Sequence, residues 1–142
     1  MNLLVLSGGY GTRLKSVLKN VPKALAPING IPFLELQIDN WINQGIKSFI
    51  FLLHYEAQQI VDFLKNQEKI RGNKISFKYI IENEPLDTGG AILNALREFG
   101  IKEDFLATNA DTWLENGVEA ICDTISPSIL AVSLEDSSRY GI

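Results

Sequence analysis

The chain has 142 residues, the size of one domain, with 46% hydrophobic and 21% charged residues, which sets it apart from disordered and fibrous sequences. A net charge of −4 argues against a general nucleic-acid or membrane-surface binder, and apolar runs such as residues 49–53 are far too short to span a bilayer. The single cysteine, Cys122, excludes an internal disulfide framework.

Met1 leads directly into a strand-like run with no basic leader or cleavage site, so no signal peptide is expected and the cytoplasm is the expected compartment. Residues 3–6 form a continuous apolar run, the pattern of a strand buried on both faces. Residues 8–32 are punctuated by glycine and proline and read as a long binding loop, with one helical turn near Thr12 to Leu18. Leu34, Ile38, Trp41 and Ile42 then recur at helical spacing, ending at Gly45. Residues 49–53 read as a second buried strand, followed by a helix carrying Ala57, Ile60, Val61 and Leu64. A turn at Arg71-Gly72-Asn73 leads into a third strand over residues 75–81. Thr88 is placed to cap a third helix carrying Ile92, Ala95, Leu96 and Phe99, ended by Gly100. Residues 104–108 form a fourth strand, Val118, Ile121, Cys122 and Ile125 a fourth helical stripe, and residues 129–134 a fifth strand.

Strand and helix alternate throughout, which predicts an α/β, doubly wound, mostly parallel sheet with helices on both faces and right-handed crossovers. Ligands in such sheets lie beyond the carboxyl ends of the strands. Three unusual stretches land on that edge: the glycine loop after the first strand, residues 84–90 after the third, and Asn109-Ala110-Asp111 after the fourth.

The glycine loop, Gly8-Gly9-Tyr10-Gly11-Thr12-Arg13, is followed by Pro22-Lys23. Glycines permit positive φ and close approach of a ligand to backbone N–H groups, which together cradle anions. Arg13 offers a planar fork for phosphate and Lys23 a compact charge. The dinucleotide fingerprint fails at Leu14 and the P-loop Gly-Lys-Ser/Thr is absent, yet a basic residue directly after the glycines is hard to explain as a simple turn.

Gly8-Gly9-Tyr10-Gly11-Thr12-Arg13-Leu14 followed by Pro22-Lys23-Ala24-Leu25-Ala26-Pro27 resembles the signature of the sugar-phosphate nucleotidylyltransferases. Glu84-Pro85-Leu86-Asp87-Thr88-Gly89-Gly90-Ala91 is similar to that family's Glu-Pro-Leu-Gly-Thr segment, Asn109-Ala110-Asp111 to its Asn-Gly-Asp, and Arg139-Tyr140-Gly141 to its Arg-Tyr-Gly. The likeness runs from end to end, and looks closest to the branch that makes GDP-activated heptose or mannose.

The resemblance implies a Rossmann-like, GT-A-like domain that transfers NMP from a nucleoside triphosphate to a sugar 1-phosphate, giving NDP-sugar and pyrophosphate with Mg²⁺. Leu6, Gly8, Gly9, Gly11 and Thr12 would hold the nucleotide with Glu84, Pro85, Asp87, Gly89 and Gly90; Arg13 would grip the β- and γ-phosphates. Lys23 would sit by the α-phosphate, Asp111 would hold the metal, and Gly141 would lie near the sugar. Two departures stand out: Asp87 and Ala110 each replace a family glycine. Asp tolerates left-handed geometry better than most residues, and a carboxylate there either reads a base such as guanine or faces solvent. Family members continue past the Arg-Tyr-Gly motif, so residues 1–142 are expected to be the nucleotide-binding part of a longer nucleotidyltransferase domain. Two alternatives stay open: transfer to another phosphorylated acceptor such as phosphocholine, and a non-catalytic nucleotide-sensing module. The sequence sets no oligomeric state and allows a homo-oligomer.

The remaining polar and aromatic residues read as structural. His54 lacks Cys or His partners at ligand spacing and reads as a surface or strand-end residue. Cys122 and Trp41 read as core, Trp113 either lines the sugar pocket or covers the sheet, and residues 65–74 form a solvated face. Glu135-Asp136 read as a turn.

Overall fold

A computed structural model describes residues 1–9 and 21–131. Its centre is a four-stranded parallel sheet of β1 (Asn2–Ser7), β4 (Ser48–Leu53), β5 (Ser76–Ile81) and β6 (Phe105–Asn109), in the order β5-β4-β1-β6. Register is continuous across the middle: Leu4 pairs with Ile50 on one side and Ala107 on the other. Helices α1 (Phe33–Asn43), α2 (Ala57–Arg71) and α3 (Asp87–Glu98) connect the strands, and a short α4 (Val118–Cys122) follows the last. A two-residue-per-strand hairpin, β2 (Pro27–Ile28) with β3 (Ile31–Pro32), precedes α1.

The two faces follow from the strand period of two. Leu3, Val5, Phe49, Phe51, Leu53 and Phe77 point to one side and bury the apolar stripes of α1 and α2. Leu4, Ile50 and Leu52 point to the other and meet Ala91 and Ala95 of α3. The chain steps from β1 to β4 to β5, then returns to the far side of β1 for β6. Strand order thus reverses at β1, and a crevice opens there beyond the carboxyl ends of the strands.

The first three helices and four strands match the expectations, including Trp41 in the core and the stop at Gly45, whose φ is +93°. Four details differ. Thr88 caps nothing, because α3 already begins at Asp87 and carries no side-chain cap. The fourth stripe is cut short: α4 is five residues long, Ile125 is 92% exposed, and Cys122 is exposed rather than core. Asp123 to Ser128 is too rich in short polar residues and proline to prolong that helix. Residues 129–131, the described part of the expected fifth strand, form no strand, and Ile129 is 92% exposed. Gln67 is buried within the stretch otherwise solvated, its oxygen accepting a hydrogen bond from Arg71 Nε at 2.8 Å. The expected helical turn near Thr12 and the turn at Glu135-Asp136 lie outside the described residues.

Candidate active site

Four strands deliver their last residues to one cavity of about 600 Å³, a volume suited to a small-molecule ligand. β1 contributes Leu6 and Ser7 and leads to Gly8 and Gly9; β4 leads to His54 and Tyr55; β5 leads to Glu82 and Pro85; β6 ends at Asn109 and leads to Ala110 and Asp111. The turn around Pro22 and Lys23 and the start of α3, with Asp87, Thr88 and Ala91, complete the wall.

Lys23 and Asp111 meet across this cavity. Lys23 opens a 3₁₀ turn, Lys23–Leu25, closed by Leu25 N–H donating to Pro22 O at 2.9 Å. Asp111 follows β6, whose ladder with β1 is prolonged by Ala110 N–H donating to Leu6 O at 2.9 Å. Lys23 Nζ lies 2.6 Å from Asp111 Oδ2, with the two side chains 45% and 40% exposed. An ion pair this wet contributes about 0–1 kcal/mol, so a phosphate or a cation can separate it at little cost. Ala110 is buried and its φ is not positive, so alanine serves there as well as glycine.

Asp87 takes φ +56°, one of three non-glycine residues among those described with left-handed backbone. Aspartate is among the few non-glycine residues that tolerate this backbone. Gly8 and Gly9 do not use positive φ. At Gly9 an added Cβ would meet nothing within 4 Å, so its backbone is open to the cavity, while at Gly8 it would touch the His54 Cβ at 3.5 Å. Gly90 is instead a packing position, where an added Cβ would lie 3.0 Å from the Leu86 Cβ. Glu84, Gly89 and Gly90 lie beside the wall rather than in it. Gly11, Thr12, Arg13 and Gly141 fall outside the described residues.

His54 is a strand-end residue, as expected, and lines the cavity. Its Nδ1 is 2.9 Å from Glu82 O, a pure acceptor, so Nδ1 carries the proton. Glu82 also accepts the Leu86 N–H at 3.3 Å, pinning the loop that enters α3. Trp113 lies outside the cavity wall, 47% exposed, its ring 6.3 Å from that of Phe33.

Three carboxylates, Glu82, Asp87 and Asp111, line the described wall against one lysine. A phosphate chain enters such a wall most readily with a cation beside it. Among the described residues no three His, Cys, Asp or Glu side chains group to hold a metal. Asp111 offers a single half-exposed carboxylate at the crevice, an oxygen donor of the kind hard divalent cations take in ones or twos.

Sequence reasoning missed a row of amides along α1 and its C-cap Gln44. Gln37 Nε2 donates to Thr112 O at 2.5 Å, Asn40 Nδ2 to Leu114 O at 2.7 Å, and Gln44 Nε2 to Glu115 O at 3.3 Å. Gln44 Oε1 in turn accepts the Val118 N–H at 3.1 Å. The spacing 37, 40, 44 was the available signal, since residues three and four apart share a helix face.

Among the described residues no helix is long and apolar enough to cross a membrane. A sequence profile of the nucleotidyl transferase family matches residues 2–142. The chain is 39% identical to a D-glycero-α-D-manno-heptose 1-phosphate guanylyltransferase from Campylobacter jejuni, over 99% of this chain and 62% of that protein. It is 32% identical to the mannose-1-phosphate guanyltransferase of Saccharomyces cerevisiae, over 100% of this chain and 40% of that protein. Among solved structures, HddC from Yersinia pseudotuberculosis complexed with GMP-PN superposes with a TM-score of 0.68 at 38% identity, covering 86% of this chain and 54% of HddC. The chain thus spans roughly four- to six-tenths of the length of these relatives.

Proposed function

The chain belongs to the nucleotidyl transferase family, and from that premise we propose that it forms the nucleotide-binding part of an enzyme that transfers GMP from GTP to heptose or mannose 1-phosphate. The products would be the GDP-sugar and pyrophosphate. The observation that carries the reading is the Lys23–Asp111 pair, 2.6 Å apart at the crevice where strand order reverses.

The chemistry asks little of the protein beyond placement and charge. An oxygen of the sugar 1-phosphate, already ionised at neutral pH, attacks the α-phosphorus. The bond from that phosphorus to the bridging oxygen of the β-phosphate breaks, and pyrophosphate leaves with the electron pair. No protein nucleophile or general base is required. Both reactants are anions, so their repulsion must be screened before they can align. Lys23 neutralises the α-phosphate and the incoming phosphate, and Arg13 holds the β- and γ-phosphates of the leaving group. Asp111 would hold Mg²⁺, whose charge screens the phosphate oxygens. Leu6, Gly8 and Gly9 would present backbone to the nucleotide, with Pro85 beside the base; the family resemblance adds Gly11, Thr12, Glu84, Gly89 and Gly90 to the nucleotide side and Gly141 to the sugar side. Asp87, on the cavity wall, supports guanine: a carboxylate accepts from the N1–H and the exocyclic amino group, a pair that neither uracil nor thymine presents.

Calorimetric titration of this chain with GTP, CTP, UTP and dTTP in Mg²⁺ tests the reading. GTP is expected to bind at least tenfold more tightly than the others. Lys23→Met should weaken it about 10- to 100-fold, the loss of a charge-assisted contact of about 1.5–3 kcal/mol. Failure of all four nucleotides to bind would reject the site.

A further inference from the structure

We propose that α1 is a brace that sets the separation of Lys23 and Asp111, with Gln37 as the positioning residue for the Asp111 arm. The inference rests on the reading of those two side chains as active-site groups. They are 88 positions apart in sequence and belong to different connections of the sheet, and their exposed ion pair is too weak to hold two backbones in register. Something else must fix the distance, and α1 touches both sides.

The first contact is at the start of the helix. Phe33 N–H donates to Ala26 O at 2.9 Å, tying the end of the Lys23 turn to α1. Ala24, inside that turn, is buried with Leu34 and Ile38 of the helix. The second contact is the amide row. Gln37, Asn40 and Gln44 take hold of Thr112, Leu114, Glu115 and Val118 in order, so the segment leaving Asp111 lies along the helix. The Phe33–Trp113 ring contact joins the same two elements. Because α1 is itself locked into the core through Leu34, Ile38 and Trp41, both arms are referred to one rigid body.

Gln37 is the telling member. Its side chain is 0% exposed and its Oε1 has no hydrogen-bond partner among the described residues. A buried amide with one unmet acceptor is a poor choice for stability, and a leucine would suit the apolar surroundings better. What only the amide supplies is the bond to Thr112 O, one residue beyond Asp111. Catalytic geometry is sensitive to displacements of about 1 Å, so a bond at that place governs the site more than the fold.

The test compares wild type, Gln37→Leu and Asp111→Asn in the full chain by three measurements: melting temperature, amide hydrogen exchange of residues 110–118, and Mn²⁺ affinity of the GTP complex by water-proton relaxation. Gln37→Leu is expected to melt at or above the wild-type temperature. Its exchange over residues 110–118 should rise at least tenfold, and its Mn²⁺ affinity should fall about tenfold. A merely structural glutamine would lower the melting temperature and leave metal affinity alone. Unchanged exchange overturns the brace, as does faster exchange with unchanged Mn²⁺ affinity. If Asp111→Asn leaves Mn²⁺ affinity unaltered, the metal reading of Asp111 fails instead, and the brace is then decided by exchange alone. Should Gln37→Leu not fold cooperatively, Asn40→Ala, half-buried and bonded to Leu114 O, carries the same expectations on a smaller scale.

Discussion

The two faces of the sheet differ in bulk and in what they hold. On the α1–α2 face, Phe49 and Phe77 stack at 5.3 Å, Trp41 lies 6.1 Å from Phe49, and large side chains fill the layer. On the α3 face the fully covered contacts of Leu4, Ile50 and Leu52 are two alanines, the larger Ile92, Leu96 and Phe99 are only partly buried, and Leu93 of the same helix remains 47% exposed. The thick face supplies the stability and, through α1, ties down the polar groups proposed for chemistry. The thin face exploits small residues: with Ala91 and Ala95 beneath it, α3 approaches the sheet closely and carries Asp87 and Thr88 to the cavity rim. The lesson is that one side is packed for rigidity and the other for proximity.

The largest effect that would sharpen this contrast is on the thick face. Phe49→Ala removes a fully buried ring with three aromatic neighbours and should lower unfolding free energy by about 3–5 kcal/mol in urea titration. On the thin face the vulnerable direction is reversed. Ala95→Leu adds bulk where α3 sits against the strands, and should cost about 1–3 kcal/mol while also weakening GTP binding, because the helix is lifted from the rim. Equal tolerance of the two substitutions would erase the distinction. Smallest is Asp87→Gly, which relieves a left-handed aspartate and should raise stability by under about 1 kcal/mol. The same change should reduce the preference for GTP over UTP; a preference left intact would return Asp87 to a purely backbone role.

Much of this was legible in the sequence, for a physical reason. β1 and β4 are covered on both faces, so they are written as unbroken apolar runs that nothing else explains. The helix stripes of α1 and α2 are equally plain, since each buries one face against large side chains. The rim was legible through chemistry rather than periodicity: Lys23 and Asp111 belong to motifs far apart in the chain, and the structure brings them within bonding distance. Other features were not. Val118, Ile121, Cys122 and Ile125 have helical spacing, but spacing says nothing about whether a surface exists to cover the stripe, and here Ile125 stands in solvent. Thr88 looked like a cap because Ser, Thr and Asp all suit that position, but α3 begins at Asp87, two residues before the helix such a cap would open. The amides along α1 went unread, because their partners are backbone carbonyls some seventy positions away that carry no signature in the side chains.

The most direct test of the central claim is the GTP affinity of Asp111→Asn relative to wild type, measured with Mg²⁺ and again with a chelator. If Asp111 both holds the metal and restrains Lys23, the substitution must weaken GTP binding when Mg²⁺ is present. Without metal it must tighten binding, because it removes a negative charge beside the phosphates and frees the lysine. A change of the same sign in both conditions, or no change in either, contradicts the account.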